Sequence, residues 1–539
     1  MAKLPKEHKL DEPLKHESHK RPVSRRDFIA QGFAAGLGSV MVPSWLSFLM
    51  SPRTARAQDV NISTDIQSLI SSCGLDNPGA GKIPFICFDL AGGAGISGSN
   101  VLVGARGGQH DFLSTAGYGR MGLPGDMIPP VVNPATDTND FINTDLGLAF
   151  HSDSGFLRGI LEKTSPGTLL NIDGAVIPVR SENDTGNNPH NPMYAINRVG
   201  AKGSLLTLIG SRNSDSGGNS VAPPEYFDPA IRPTKIDRPS DVRGLVDTGE
   251  LVNILGQQDA VSVLESITRI SGDKLDNVDS KLALADDDKL KTDMHCQYAK
   301  SVHTVAEFGE SSALDPDADS DIVGESGIFT QDEYDNDGEF RKTASVMKLV
   351  MNGYAGAGTI TMGGYDYHTG NRSTGETRDL RAGRCMGACL EYAARLGKPL
   401  MMYVFTDGGI SSGGAIDASA AGRGKLAWVS DNSSTGSAFF LVYNPGGRPQ
   451  IIGATPDEQD QNRQIGYYRT DGSVETASSP AANNVNLLVQ TIALNYMALH
   501  GEAGNFETLF PSHGLGNSTL IDSLTAFEPI VNGTIDNPV

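Results

Sequence analysis

Three short segments of this 539-residue chain place carboxylates or an imidazole where chemistry can be done. Asp89 closes an apolar run that opens at Ile83 and gives way to Ala91-Gly92-Gly93-Ala94-Gly95. Asp366 and His368 stand two residues apart in Gly363-Gly364-Tyr365-Asp366-Tyr367-His368-Thr369, just after the apolar stretch Thr359–Met362. Asp407 follows the run Pro399–Phe405 and precedes Gly408-Gly409. Sets of Asp and His hold divalent cations such as Zn2+, Mg2+, Mn2+ or Ca2+, which polarise a phosphoryl oxygen or activate a hydroxyl. Each of these aspartates taken alone reads equally well as a turn-forming residue. Ser97 and Ser99, in the Gly-rich stretch after Asp89, supply hydroxyls that can act as nucleophiles or serve only as loop residues.

Other polar positions are less telling. Asp184 and His190 sit in Asn183–Pro192, where turn formation and helix capping also explain the composition. Gly409-Ile410-Ser411-Ser412-Gly413 spells G-x-S-x-G, but the run continues into Gly414 and lacks the sharp strand-to-helix turn of a nucleophile elbow. Asp315, Asp317, Asp319 and Asp321 mimic a calcium loop, yet Ser320 and Ser326 replace the glycine and the bidentate glutamate that an EF-hand requires.

Residues spread this widely meet only if a fold brings them together. Apolar runs at Ile83–Leu90, Thr168–Ile172, Ser204–Ile209, Thr359–Met362, Pro399–Phe405, Leu426–Ser430 and Ala438–Tyr443 read as strands. Helical periods lie between them at Phe156–Lys163, Glu376–Leu396 and Asn484–His500. Alternation of this kind predicts an α/β fold: a mostly parallel central sheet with helices on both faces, spanning residues 83–539. Parallel strands end on one edge, so Asp89, Asp366, His368 and Asp407 are expected to share a cleft there. Residues 246–310 are charged and helix-rich and read as a helical insertion, followed by an acidic loop at 314–339. Residues 58–82 form a polar lead-in to the first strand. Cys385 and Cys389 are i,i+4 on one helix and read as buried packing; with five cysteines, at least one thiol stays unpaired within a monomer.

The amino terminus reads as an address. Ser24-Arg25-Arg26-Asp27-Phe28-Ile29 matches a twin-arginine export signal, the run to Met50 is moderately apolar, and Ala55-Arg56-Ala57 supplies a cleavage site. Residues 1–57 are therefore expected to be removed, with the twin-arginine translocase as the export partner and a periplasmic or secreted location for the remainder. Glycines and a proline argue against a retained membrane span. The full chain carries 43 basic against 64 acidic residues, a formal charge of −21. The signal is rich in Lys and Arg, so its removal leaves a still more acidic protein, which excludes a nucleic-acid partner.

These residues together resemble the exported domain-of-unknown-function 1501 family, a distant branch of the alkaline phosphatase and sulfatase superfamily. The likeness rests on the twin-arginine signal, Gly92-Gly93-Ala94 after the first strand, Asp366-x-His368-x-x-Asn371, the block Phe405–Gly409, and the strand Gly436–Leu441. It implies an alkaline phosphatase-like sheet with a metal site at the strand ends, to which Asp431 would add a ligand beside Asp89, Asp366, His368 and Asp407. Where the family shows Asp-His-Gly, this chain has Asp431-Asn432-Ser433, an amide in place of imidazole. Two functions are thus expected: a metal-dependent hydrolase of phosphate or sulfate esters, or a non-catalytic binding or assembly protein that keeps the fold with a degraded site.

Overall fold

A computed structural model of the chain describes residues 60–73, 75, 81–181, 188–246, 252, 254–278, 284–309, 313–367 and 369–539. The export signal, Asp184 and His368 lie outside these residues.

Thirteen strands are named here in chain order: β1 (Phe85–Gly92), β2 (Ile142–Asn143), β3 (Phe150–His151), β4 (Ile172–Pro178), β5 (Leu206–Gly210), β6 (Thr234–Lys235), β7 (Ala355–Tyr365), β8 (Leu400–Thr406), β9 (Ile410–Ile416), β10 (Leu426–Asp431), β11 (Ser437–Tyr443), β12 (Val531–Asn532) and β13 (Thr534–Pro538). Seven of them form one sheet in the order β4-β11-β8-β1-β7-β5-β6. β1 lies at the centre, parallel to both β7 and β8, and β5 runs parallel to β7 and β6. β11 runs against both its neighbours, β4 and β8. The sheet is therefore mixed but mostly parallel, and it is buried on both faces, as the near-continuous apolar strands require.

The main helices are α1 (Thr64–Ser72), α2 (Gly155–Lys163), α3 (Met193–Arg198), α4 (Gln257–Asp276), α5 (Leu284–Phe308), α6 (Gly338–Met351), α7 (Arg372–Leu396) and α8 (Val485–Leu499). Alternation along β1 divides the core. Ile86, Phe88 and Leu90 pack with α2, α6 and α7 on one face, whereas Phe85 and Cys87 pack with α3 and α8 on the other. Helices thus cover both faces of the sheet, as the sequence predicts for an α/β fold.

The details differ in four places. The expected strand Thr168–Ile172 starts only at Ile172, because Ser165 caps a short helix at Pro166–Leu169. Leu426–Ser430 is a strand, but it pairs with β9 in a separate two-stranded ladder. Asp89 does not end its strand. β1 runs on to Gly92, whose φ of +123° and contact with the Asp366 backbone, 2.4 Å from any added Cβ, admit only glycine. The stretch 314–339 is largely structured: it includes the helices Pro316–Ala318 and Gln331–Asn336 and the start of α6. Asp315 and Asp317 pair with Arg243, and Asp319 pairs with Lys348 and accepts the Tyr392 hydroxyl.

The helices α4 and α5 pack against α1, while Phe308 at the end of α5 joins the main core beside Tyr354. Ile66 and Ile70 of α1 join Ala260 and Val261 of α4 and Ala299, Val302 and Val305 of α5 in a small separate core. A disulfide between Cys73 and Cys296 ties α1 to α5, while Cys87, Cys385 and Cys389 are free and buried. Among the described residues, no helix is long and apolar enough to cross a membrane.

Candidate functional site: a buried carboxylate pair

Asp89 pairs in register with Thr361 on β7 and with Phe405 on β8, so it sits at the middle of the sheet. Its side chain points to the same face as Cys87, the face covered by α3 and α8. Asp407 follows β8 by one residue and is likewise fully buried. The two carboxylates meet through a loop that neither strand supplies.

That loop leaves β5 as Ser211-Arg212-Asn213-Ser214-Asp215-Ser216-Gly217-Gly218-Asn219-Ser220. Thr359 and Thr361 are small residues on this face of β7, and the loop crosses the strand there. The amide of Asn191 bonds to both Thr359 Oγ1 and the Ser216 carbonyl, each at 3.2 Å. Ser214 and Ser216 hydroxyls brace the loop by donating to the carbonyls of Gly218 and Ser220, each at 2.6 Å. Gly218 passes so close to Asp89 that a Cβ would come within 2.6 Å of Oδ2. Beyond it, the backbone N–H groups of Asn219 and Ser220 donate to Asp89 Oδ2 at 2.5 and 3.0 Å. Ser220 Oγ donates to Asp407 Oδ1 at 2.5 Å and lies 3.5 Å from Asp89 Oδ1. The Asn219 side-chain amide donates to Asp407 Oδ2 at 2.7 Å.

Two buried carboxylates bridged by one hydroxyl repel each other. Burial first, and the Asp407 charge second, push the Asp89 carboxyl up to about 7; the two backbone N–H bonds and the exposed Arg212 pull the other way. Near neutral pH the Asp89 carboxyl is therefore partly protonated. His190 lies on the same side of the sheet, edge-on to Phe405, with Nε2 3.0 Å from Ser181 Oγ. Burial pushes its imidazole down to about 3, so it is neutral. Its Nδ1 and the buried Tyr403 hydroxyl have no hydrogen-bond partner among the described residues.

The other sequence candidates are placed as follows. Asp366 is exposed at the end of β7, where its backbone adjoins Gly92. Asp431, partly buried at the end of β10, has Oδ1 3.5 Å from where a Gly93 Cβ would be, beside the Gly-rich turn. Ser97 and Ser99 are buried, and their hydroxyls donate to the carbonyls of Thr435 and Gly95 at 2.5 and 3.3 Å. Neither serine bonds to a carboxylate. Thr406 Oγ1 accepts the Ala94 N–H and donates to Leu90, which fixes the Gly-rich turn to β8. Ser411 is paired with Ser430 within the β9–β10 ladder, so G-x-S-x-G is no elbow.

Asp89, Asp407 and Ser220 offer oxygen only, which fits a hard cation such as Mg2+, Mn2+ or Ca2+ better than zinc. Among the described residues no group of three or more His, Cys, Asp or Glu side chains is placed to hold a metal ion. Ser220, Asn219 and Arg212 were missed by the sequence reading. Their signal was the Ser/Gly/Asn-rich stretch directly after the strand at Ser204–Ile209, the same position that singled out Asp366 and Asp407. The chain matches no protein-family model, no curated protein and no solved structure. The functional reading therefore rests on the geometry.

Proposed function

We propose that the chain is an exported, cation-dependent hydrolase of phosphate or sulfate esters, with the Asp89–Asp407 pair as its cation site. One observation carries this reading: two fully buried carboxylates share a single hydroxyl at the central strands, with Asp89 pushed up to about 7. Such a pair is costly to bury unless a positive charge or a proton compensates it. Asp89 and Asp407 would hold the cation, and when bound it would supply Lewis-acid polarisation of the ester's oxyanion. The backbone N–H groups of Asn219 and Ser220 orient Asp89, and the Ser220 hydroxyl and Asn219 amide orient Asp407. Arg212, exposed on the same loop and attractive toward Asp89, would meet the anionic group of the substrate.

The second reading, a non-catalytic relative, is favoured by a different observation: Ser97 and Ser99 are buried against backbone carbonyls and leave no poised nucleophile in the Gly-rich turn. Hydrolysis of p-nitrophenyl phosphate and p-nitrophenyl sulfate by the exported protein, with and without Mg2+, Mn2+ or Ca2+, separates the two. The hydrolase reading expects cation-dependent turnover that Asp407→Asn lowers by at least a hundredfold. Cation binding without turnover would leave the non-catalytic reading.

A further inference from the structure

α7 presents Arg378, Arg381 and Arg384 at successive turns, and all three line one groove of about 550 Å3 together with Thr374, Thr377 and Phe340. The groove belongs to the layer of α6 and α7, across the sheet from the face that Asp89 points to. Three guanidiniums in one groove run against the composition of a chain with 43 basic and 64 acidic residues.

The acidic groups around them do not balance the three. Asp337 Oδ2 is 3.9 Å from Arg381 and also caps α6 through the Glu339 N–H. Glu162 Oε2 is 2.5 Å from Arg384. Asp417 accepts the Ser373 N–H at 3.1 Å and so occupies the first turn of α7. Among the described residues, the Arg378 side chain hydrogen-bonds only to the Gly363 carbonyl, at 3.0 Å from Nη1. No carboxylate among the described residues lies within ion-pair distance of it, and its buried Nε has no hydrogen-bond partner. A partly desolvated guanidinium without a counter-ion is a fork of donors suited to an oxyanion. Thr374 adds a hydroxyl: its Oγ1 accepts from Asn371 Nδ2 at 2.5 Å, which leaves its own proton to donate.

From these contacts we infer that the groove binds a multivalent anion bearing phosphate or sulfate groups. The helix rise separates Arg378 from Arg384 by about 9 Å, longer than one tetrahedral oxyanion, so two anionic groups on one ligand match the row. This site stands on its own residues and does not depend on the carboxylate pair.

The test is calorimetric titration of the exported protein at constant ionic strength, with EDTA present so that no cation bridges the probe to Asp89 and Asp407. Inorganic pyrophosphate and a disulfated disaccharide are the two probes, and the tighter one assigns the phosphate or the sulfate source. Binding of either probe, weakened at least tenfold by Arg381→Gln and by Thr377→Glu, is the expected result. Thr377 is exposed, so its substitution keeps the fold while placing a carboxylate among the arginines. Failure of both probes to bind, or binding that neither substitution weakens, overturns the inference.

Discussion

Asp89 is a carboxyl group that holds its proton to about pH 7 in the folded chain, whereas an unfolded aspartate titrates near 4. Between those values only the folded state keeps the proton, so its contribution to stability is complete at low pH and is lost as pH rises through 7. Asp379 behaves alike: burial first and Glu376 second push it up to about 7, in the ionic cluster under Trp428. In EDTA, urea melts of the protein should therefore lose on the order of 5 kcal/mol between pH 5 and pH 8, shared between the two groups. Asp89→Asn should flatten part of that slope and leave the part due to Asp379; an unchanged slope would show that the pair is not its source. A second expectation follows for the shared hydroxyl. Ser220→Ala should weaken cation binding about tenfold through loss of one charge-assisted bond and one oxygen donor, and unchanged calorimetric affinity would count against Ser220. Asp89 and Asp407 were legible in the sequence because a carboxylate near the end of an apolar run is anomalous. Ser220 was not: a serine in a Gly-rich loop looks like any turn, and only the crossing over Thr359 and Thr361 brings it to them.

At the scale of elements, α2 and α7 cross at glycines. A Cβ on Gly383 would stand 2.2 Å from the Phe156 carbonyl oxygen, and one on Gly159 would stand 2.3 Å from that of Leu380. Gly383→Ala should force the helices apart and cost about 2 kcal/mol, read from chemical denaturation. A change within error would mean that the pair can shift without loss. Because α7 starts four residues after His368 and carries the arginine row, that substitution should also weaken pyrophosphate binding in the groove. Strand positions in this layer were legible from apolar runs, and α7 was legible by its period from Glu376 onward, though not its first turn from Arg372. Strand direction was not. β11 is as apolar as a parallel strand because it is buried on both faces, so nothing in Ser437–Tyr443 reveals that it runs the other way. β10 has the same local pattern, yet its exposed outer residues Val429 and Ser430 belong to a two-stranded ladder.

Seen whole, the molecule joins a large α/β core to a small helical unit whose own core is thin. The Cys73–Cys296 disulfide closes a loop of 223 residues and ties α1 to that unit. Cys296→Ser should lower stability by about 3 kcal/mol in thermal or urea melts, and reduction of the parent should do the same. Equal stability with and without reductant would mean that the α1 contacts suffice. A disulfide suits an oxidising compartment, in keeping with the export expected from Arg25 and Arg26. Changing both to Lys should leave precursor in the cytoplasm, and normal amounts of mature protein outside it would refute that route. Calorimetric titration of Mg2+, Mn2+ and Ca2+ into the EDTA-treated protein at pH 6 and pH 8 tests the carboxylate pair most directly. At least one cation should bind at a single site, more tightly at pH 8 than at pH 6, with release of a proton at pH 6, and Asp407→Asn should abolish binding. No binding at either pH, or equal binding by Asp407→Asn, would contradict a cation site at Asp89 and Asp407.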